Sequence, residues 1–325
     1  MRSRGTSSVA VGRGRRIKLR SPRPIALEYA RDVSSRINGR GAPVRNGFIE
    51  RFPSNNEEPP LAKMLRGGQG GGVRLKLLLS LLWFSVRAPH ETEYPARGWA
   101  ALLDLGDPET NGARRINAAI TWLAKNDFIR TEPHRGAPTT VYLKDERGNG
   151  QPYTLPAHVH NAKKEAGEEI TRDEYWVQLP ASFWIKGWIA VLSAPAVAML
   201  LVMLDEAAGS GRTERLWHSP SQAAERFVLS PDTRTDGLLE LEAYGVLDKK
   251  RTSISPGVFD FKRLRNVYDL HLEQLTVAPG DARPSSTNLS LVDLVPEGSP
   301  TGATAAGTAV PKETKESASA GRQPD

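Results

Sequence analysis

Residues 110–143 and 232–270 read as two copies of one small unit, and this echo restricts the possible folds more than any other feature of the chain. The first copy runs Ala113-Arg-Arg-Ile-Asn-Ala-Ala-Ile120-Thr-Trp-Leu123, then Asp127-Phe-Ile129, a turn-rich stretch, and Thr140-Val-Tyr-Leu143. The second runs Pro231-Asp-Thr-Arg-Thr-Asp-Gly-Leu238-Leu-Glu-Leu241, then Gly245-Val-Leu247, a basic stretch, and Asn266-Val-Tyr-Asp-Leu270. Adding 118 to Ile120, Leu123, Phe128 and Ile129 lands on Leu238, Leu241, Val246 and Leu247, without a gap. Each copy reads as an amphipathic helix that stops and runs into a β-hairpin.

Charge is distributed unevenly around these copies. The chain has 325 residues, which allows about two domains. It carries 44 Lys and Arg against 37 Asp and Glu, a formal charge of +7. Eight of those bases (Arg2, Arg4, Arg13, Arg15, Arg16, Lys18, Arg20, Arg23) fall within residues 1–27, which contain no acid; the remaining 36 bases and 37 acids nearly cancel. The basicity therefore belongs to an N-terminal arm, and such an arm attracts nucleic acid or anionic lipid without sequence preference. Arg13, Arg15, Arg16, Lys18 and Arg20 are its expected contacts. The absence of cysteine excludes disulfides and thiolate metal sites and fits a reducing cytoplasm. No apolar run follows the basic start, so no signal peptide is read. Leu77–Val86 is too short for a membrane span. Gly187–Leu204 is uncharged but broken by Leu192-Ser-Ala-Pro195 and bracketed by Lys186 and Asp205-Glu206, so both segments read as buried helices.

The expected class is mainly α with small β-hairpins (α+β), in two helix-turn-helix domains with disordered tails. Residues 1–72 read as a disordered basic arm ending in the flexible run Gly67–Gly72, and order is expected from Val73. Domain one spans 73–145, with helices over 74–87, 95–103 and 111–126 and strands over 129–131 and 140–143. Residues 146–172 read as a linker. Domain two spans 173–275, with a strand at Tyr175–Pro180, helices over 182–192, 194–208 and 221–228, a third helix capped by Ser230-Pro231, and strands over 249–253 and 266–272. Residues 276–325 lack aromatics and read as a disordered tail, with one apolar island at Leu289–Val295.

The unit at 219–270 resembles the winged-helix regulators of bacteria: Ser-Pro-Ser-Gln-Ala-Ala-Glu-Arg-Phe, then Thr-x-x-x-Leu-x-x-Leu-x-x-x-Gly-Val-Leu, then a basic hairpin. The tandem arrangement over 73–275 is similar in outline to plasmid replication initiators. The resemblance implies binding of double-stranded DNA, with the third helix of a unit in the major groove. In the first copy Ile116, Ala119, Ile120 and Leu123 share the inner face. Arg114, Asn117 and Thr121 then point outward with Arg115 at the flank, and Arg and Asn are the side chains best able to read guanine and adenine. Arg135 stands at the hairpin tip. The second copy departs from this pattern. Its third helix presents Asp232, Asp236 and Glu240, and Arg234 stands where the first copy has Ile116. Its bases sit on the hairpin, at Lys249, Lys250, Arg251, Lys262, Arg263 and Arg265. An apolar surplus (Trp184, Trp188, Val197, Leu200, Leu201, Met203) suggests that domain two also carries a homodimer surface.

Enzyme signals are weak. His158-Val-His160 has the form of the metal-binding motif of rolling-circle nicking enzymes, but no tyrosine has the matching helical setting, and the pair reads as chance. No nucleotide-binding, dinucleotide-binding or hydrolase motif occurs. The expectation is a non-enzymatic, cytoplasmic DNA-binding protein without cofactor, metal or evident small-molecule ligand, acting as a transcription regulator or replication initiator. A winged-helix assembly protein and a metal-dependent nicking enzyme are the alternatives.

Overall fold

The computed structural model describes residues 8–11, 15–52, 58–66, 70–253, 264–279 and 281. The N-terminal region is the first departure from the sequence expectation. Strands β1 (Ser8–Val11) and β2 (Arg15–Lys18) form an antiparallel hairpin. Helix α1 (Pro24–Arg36), strand β3 (Ala42–Arg45) and the short helices α2 (Asn46–Ile49) and α3 (Pro60–Leu65) follow. The polar average of this stretch hides a helical stripe: Ala26, Ala30, Val33 and, just past the helix, Ile37 are all buried. The expectation of a disordered arm over 1–72 is therefore corrected for its described residues, where regular structure begins well before Val73, while residues 1–7, 12–14, 53–57 and 67–69 lie outside the described residues. Part of the supposed glycine linker starts a helix. Gly70 takes φ 107° as its cap, and a Cβ on Gly71 would stand 2.6 Å from the Met64 carbonyl oxygen.

The first repeat unit comprises α4 (Gly71–Phe84), β4 (Glu91–Thr92), α5 (Ala96–Leu102), a π turn over 108–112, α6 (Ala113–Lys125), β5 (Ile129–Glu132) and β6 (Thr140–Leu143). Its three strands lie in the order β4-β6-β5, all antiparallel. Helix α4 is apolar on all sides because other elements surround it: α3, α6, β3 and a later helix all pack on it. No helix among the described residues is long and apolar enough to cross a membrane.

The expected linker over 146–172 is also structured. It contains α7 (Pro156–Ala166) and a 3-10 turn at Arg172–Glu174 leading into β7 (Trp176–Leu179). Strand β7 pairs antiparallel with β3, Ala42 opposite Leu179 and Arg45 opposite Trp176. The boundaries drawn at 72 and 173 thus divide the two strands of one sheet. Helices α8 (Ser182–Ile185) and α9 (Trp188–Val191) are separated by Gly187 at φ 83°.

The second unit is α10 (Ala194–Ser210), α11 (Pro220–Phe227), α12 (Pro231–Ala243), β8 (Leu247–Ser253) and β9 (Leu264–Leu270). A bridge from Leu216 to Tyr268 stands where β4 stands in the first unit. The two copies share one geometry. Helices α6 and α12 begin and end 118 residues apart, and each is followed by a residue of positive φ, Asp127 at 63° and Gly245 at 72°. The same chain reversal closes both: Phe128 N–H donates to Leu123 O at 3.0 Å, and Val246 N–H to Leu241 O at 2.9 Å. Leu123 and Leu241, Phe128 and Val246, and Ile129 and Leu247 are buried as pairs.

One continuous core joins the units. The Trp83 and Trp184 rings stack at 4.7 Å and 9°, and Trp184 Nε1 donates to Ser80 Oγ at 3.1 Å. Trp184, Trp188, Val197, Leu200, Leu201 and Met203 are all fully buried within the chain. They are covered within the chain, Trp184 by Trp83 and Trp188 by Tyr244, and present no surface to a second copy.

A charged cluster ties the former linker to the second unit. Arg172 bonds Glu50, and Arg226 bonds Glu50, Asp205 and Glu206. Burial pushes the Asp205 carboxyl up to about 8, against the pull of the two guanidiniums. The folded state therefore holds a proton that the unfolded state has released. The resulting stability is present below about pH 4 and is lost as pH rises through about 8. Asp205→Asn should shrink the fall in unfolding temperature between pH 5 and pH 9, and an unchanged fall would show that Asp205 is ionised throughout.

Candidate nucleic-acid interface

Helix α6 is the strongest candidate surface. Ile116, Ala119 and Leu123 face inward and are buried, which fixes the rotation of the helix. Arg114, Arg115, Asn117 and Thr121 are consequently exposed, together with Ala118 and Lys125, and the helix contains no acidic residue. Arg114 reaches back to Asn111 Oδ1 at 3.3 Å, while Thr121 Oγ1 donates to Asn117 O at 3.0 Å. Arg115 has no such bond among the described residues. On the flank, the Arg74 guanidinium lies 4.7 Å from the centre of the Trp122 ring.

The hairpin beside α6 is held at its base. Thr140 Oγ1 donates to Glu93 Oε1 at 2.9 Å and lies 2.8 Å from His134 Nε2. Residues 133–138 between the strands are exposed, and Arg135 precedes Gly136, whose φ of 78° turns the chain. The expected positions of Arg114, Arg115, Asn117, Thr121 and Arg135 are thus all at the surface of one unit.

The second unit differs in charge. Asp232 is exposed on α12, but Glu240 is turned to α10, where its carboxylate accepts from Ser193 N at 2.8 Å and from the Ser193 hydroxyl. Glu240 is therefore not an outward residue. On the hairpin Lys249 and Arg251 are exposed, but Lys250 is paired with Asp269 at 2.6 Å, which holds its ammonium above the ordinary lysine range. Arg265 stacks 3.5 Å from the centre of the Trp217 ring. Lys262 and Arg263 lie outside the described residues.

The described part of the basic arm is packed on the second unit. The β1–β2 hairpin, which contains Arg15, Arg16 and Lys18, packs on α12. Tyr244, just past α12, accepts from Arg20 N at 2.8 Å and donates to Arg20 O at 3.2 Å. Arg23 binds Asp104 and the Leu105 carbonyl in the first unit. The segment spans both units and has structural partners that composition did not reveal. Arg13 lies outside the described residues, as do Leu289–Val295 and the rest of the tail beyond 281.

The His-x-His pair sits on α7, not in a linker. His160 is buried beside the Tyr175 and Trp176 rings, and His158 is exposed. Two residues apart on a helix, they point in different directions. Among the described residues no group of three His, Asp or Glu side chains is placed to hold a metal. Comparison with protein-family models, with curated proteins and with solved structures finds no match.

Proposed function

We propose that the chain is a non-enzymatic double-stranded DNA-binding protein in which two winged helices have divided their roles, the first reading DNA and the second serving mainly as a scaffold. The carrying observation is the outward face of α6, with Arg114, Arg115, Asn117 and Thr121 and no acid. The order helix, strand, helix, helix, hairpin in the first unit, with β6 central in its sheet, supports the winged-helix reading, as does the second unit, where an isolated bridge replaces the strand. The scaffold role of unit two is supported by an α12 that carries Asp232 and is packed against by the β1–β2 hairpin. An acidic helix is repelled by phosphate, whereas α6 meets it with arginines. Regulation of transcription and initiation of replication both use such a reader.

Selection of bound duplexes from a random pool by the full chain supplies the cognate site. On that site Arg114→Ala and Asn117→Ala should each cost about 1–3 kcal/mol, roughly 5- to 150-fold, with little loss on random DNA. Equal losses on both kinds of DNA would make these residues phosphate contacts. No enrichment from the pool, or no loss in either variant, would remove α6 as the reader.

A further inference from the structure

The register of the repeat exposes one position where the second unit abandons the packing of the first. Ile116 of α6 is fully buried, and 118 residues later the chain has Arg234. Beside Arg234 lies a cleft of about 570 Å³ between residues 217–218, the start of α11, the first half of α12 and the start of β9. Every lining residue belongs to the second unit. In the first unit the corresponding end of the sheet is closed: Tyr94 packs on Phe84 and Trp99 and meets Tyr29 of α1 edge-on at 6.3 Å. By strand register Tyr94 corresponds to His218, since Thr92 pairs with Val141 as Leu216 pairs with Tyr268.

The cleft has a definite chemistry. Among the described residues its lining includes Arg234 and Arg265 and no carboxylate. Arg234 Nη1 donates to Pro220 O at 2.9 Å, but its Nε is buried without a partner among the described residues, and so is His218 Nδ1. Burial and the neighbouring Arg234 hold the His218 imidazole down to about 4, so at neutral pH it offers hydrogen bonds but no charge. The mouth is aromatic and apolar: Trp217 and Leu264 are two of the few large apolar side chains left exposed among the described residues. Cationic donors with no counter-charge among the described lining residues, beside exposed aromatic surface, match an anion that carries a flat ring. The volume lies within the range of small-molecule sites.

We infer that this cleft binds a nucleotide, with the base against Leu264 and the Trp217–Arg265 stack and the phosphate on Arg234. The nucleotide is either free or at the end of a single strand. This site is separate from α6 and stands independently of the duplex-binding proposal. The test is calorimetric titration of the full chain with AMP, GMP, ATP, adenosine, inorganic phosphate and a short 5′-phosphorylated dT strand. Nucleotides should bind, with adenosine and phosphate each weaker by roughly tenfold or more. Arg234→Ile restores the residue of unit one and should lose nucleotide binding while thermal unfolding stays cooperative. Trp217→Leu, at an exposed position, provides a second variant that does not touch the core and should weaken binding as well. Tighter binding of the dT strand than of any free nucleotide assigns the ligand to strand ends, and the reverse assigns it to free nucleotides. Absence of binding at millimolar nucleotide, phosphate binding as tight as nucleotide binding, or undiminished binding by both variants would overturn the inference.

Discussion

Glu146→Ala should destabilise the fold by about 3–5 kcal/mol, enough to remove a large fraction of an ordinary domain's stability. Glu146 and Arg45 are both buried, and their side chains meet at 2.7 Å. The carboxylate also accepts from Arg45 N at 3.0 Å, the guanidinium donates to Thr154 O, and it lies 5.5 Å from the centre of the Tyr153 ring. Removing the carboxylate leaves a buried guanidinium with one carbonyl partner and, among the described residues, only the neighbouring Asp145 as counter-charge. The pair itself need not be strongly stabilising, because desolvation offsets most of its attraction; it is the orphaned charge that costs. Urea unfolding separates the two effects. Glu146→Ala should unfold at much lower urea, whereas the double change Arg45→Met with Glu146→Leu should recover much of the loss. A single variant within about 1 kcal/mol of the parent would mean that water reaches Arg45.

This pair also marks where the sequence stopped being informative. The helices and hairpins of both units follow from local signals: apolar residues at helical spacing, Ser230-Pro231 at a helix start, and Asp127 or Gly245 at a helix end. The exposed face of α6 follows from the same spacing, because burying Ile116, Ala119 and Leu123 leaves Arg114, Asn117 and Thr121 outside. Arg45 and Glu146 are 101 positions apart, and no local pattern predicts that each neutralises the other. Composition therefore assigned one to a basic arm and the other to a polar linker. Averaging over a charged, proline-containing segment likewise hid the narrow stripe of Ala26, Ala30 and Val33. The surplus of apolar residues around α10 was visible in the sequence, but its partner was not. Its partners are elements of the same chain, chiefly α12, with α4 and β7 also packed on α10. The cleft beside Arg234 had a faint trace in the sequence, namely an arginine at a core position of a repeat, which reads equally as a charge facing solvent.

Gly237→Ala is expected to destabilise by about 2 kcal/mol or more, although alanine is the better helix former by up to ~1 kcal/mol. Its Cβ would stand 2.3 Å from Pro195 O and 2.7 Å from Met199 Cγ. The nearer obstacle is backbone of α10, which cannot rotate aside as a side chain can. In the first unit the equivalent residue, Ala119, carries its methyl group in the buried face of α6. The α10–α12 crossing therefore requires an absent side chain where its counterpart accepts one. Gly209→Ala is the matched control, because this exposed helical glycine has only the end of Arg172 nearby, at 3.7 Å. Propensity should dominate there and stabilise by about 0.5–1 kcal/mol. Opposite signs for the two glycines in thermal unfolding would establish that close approach of α12 to α10 limits position 237. A stabilised Gly237→Ala protein would mean that α12 moves outward at little cost. In that case the cleft walled by Arg234, three residues earlier on the same helix, would be a soft rather than a fixed site.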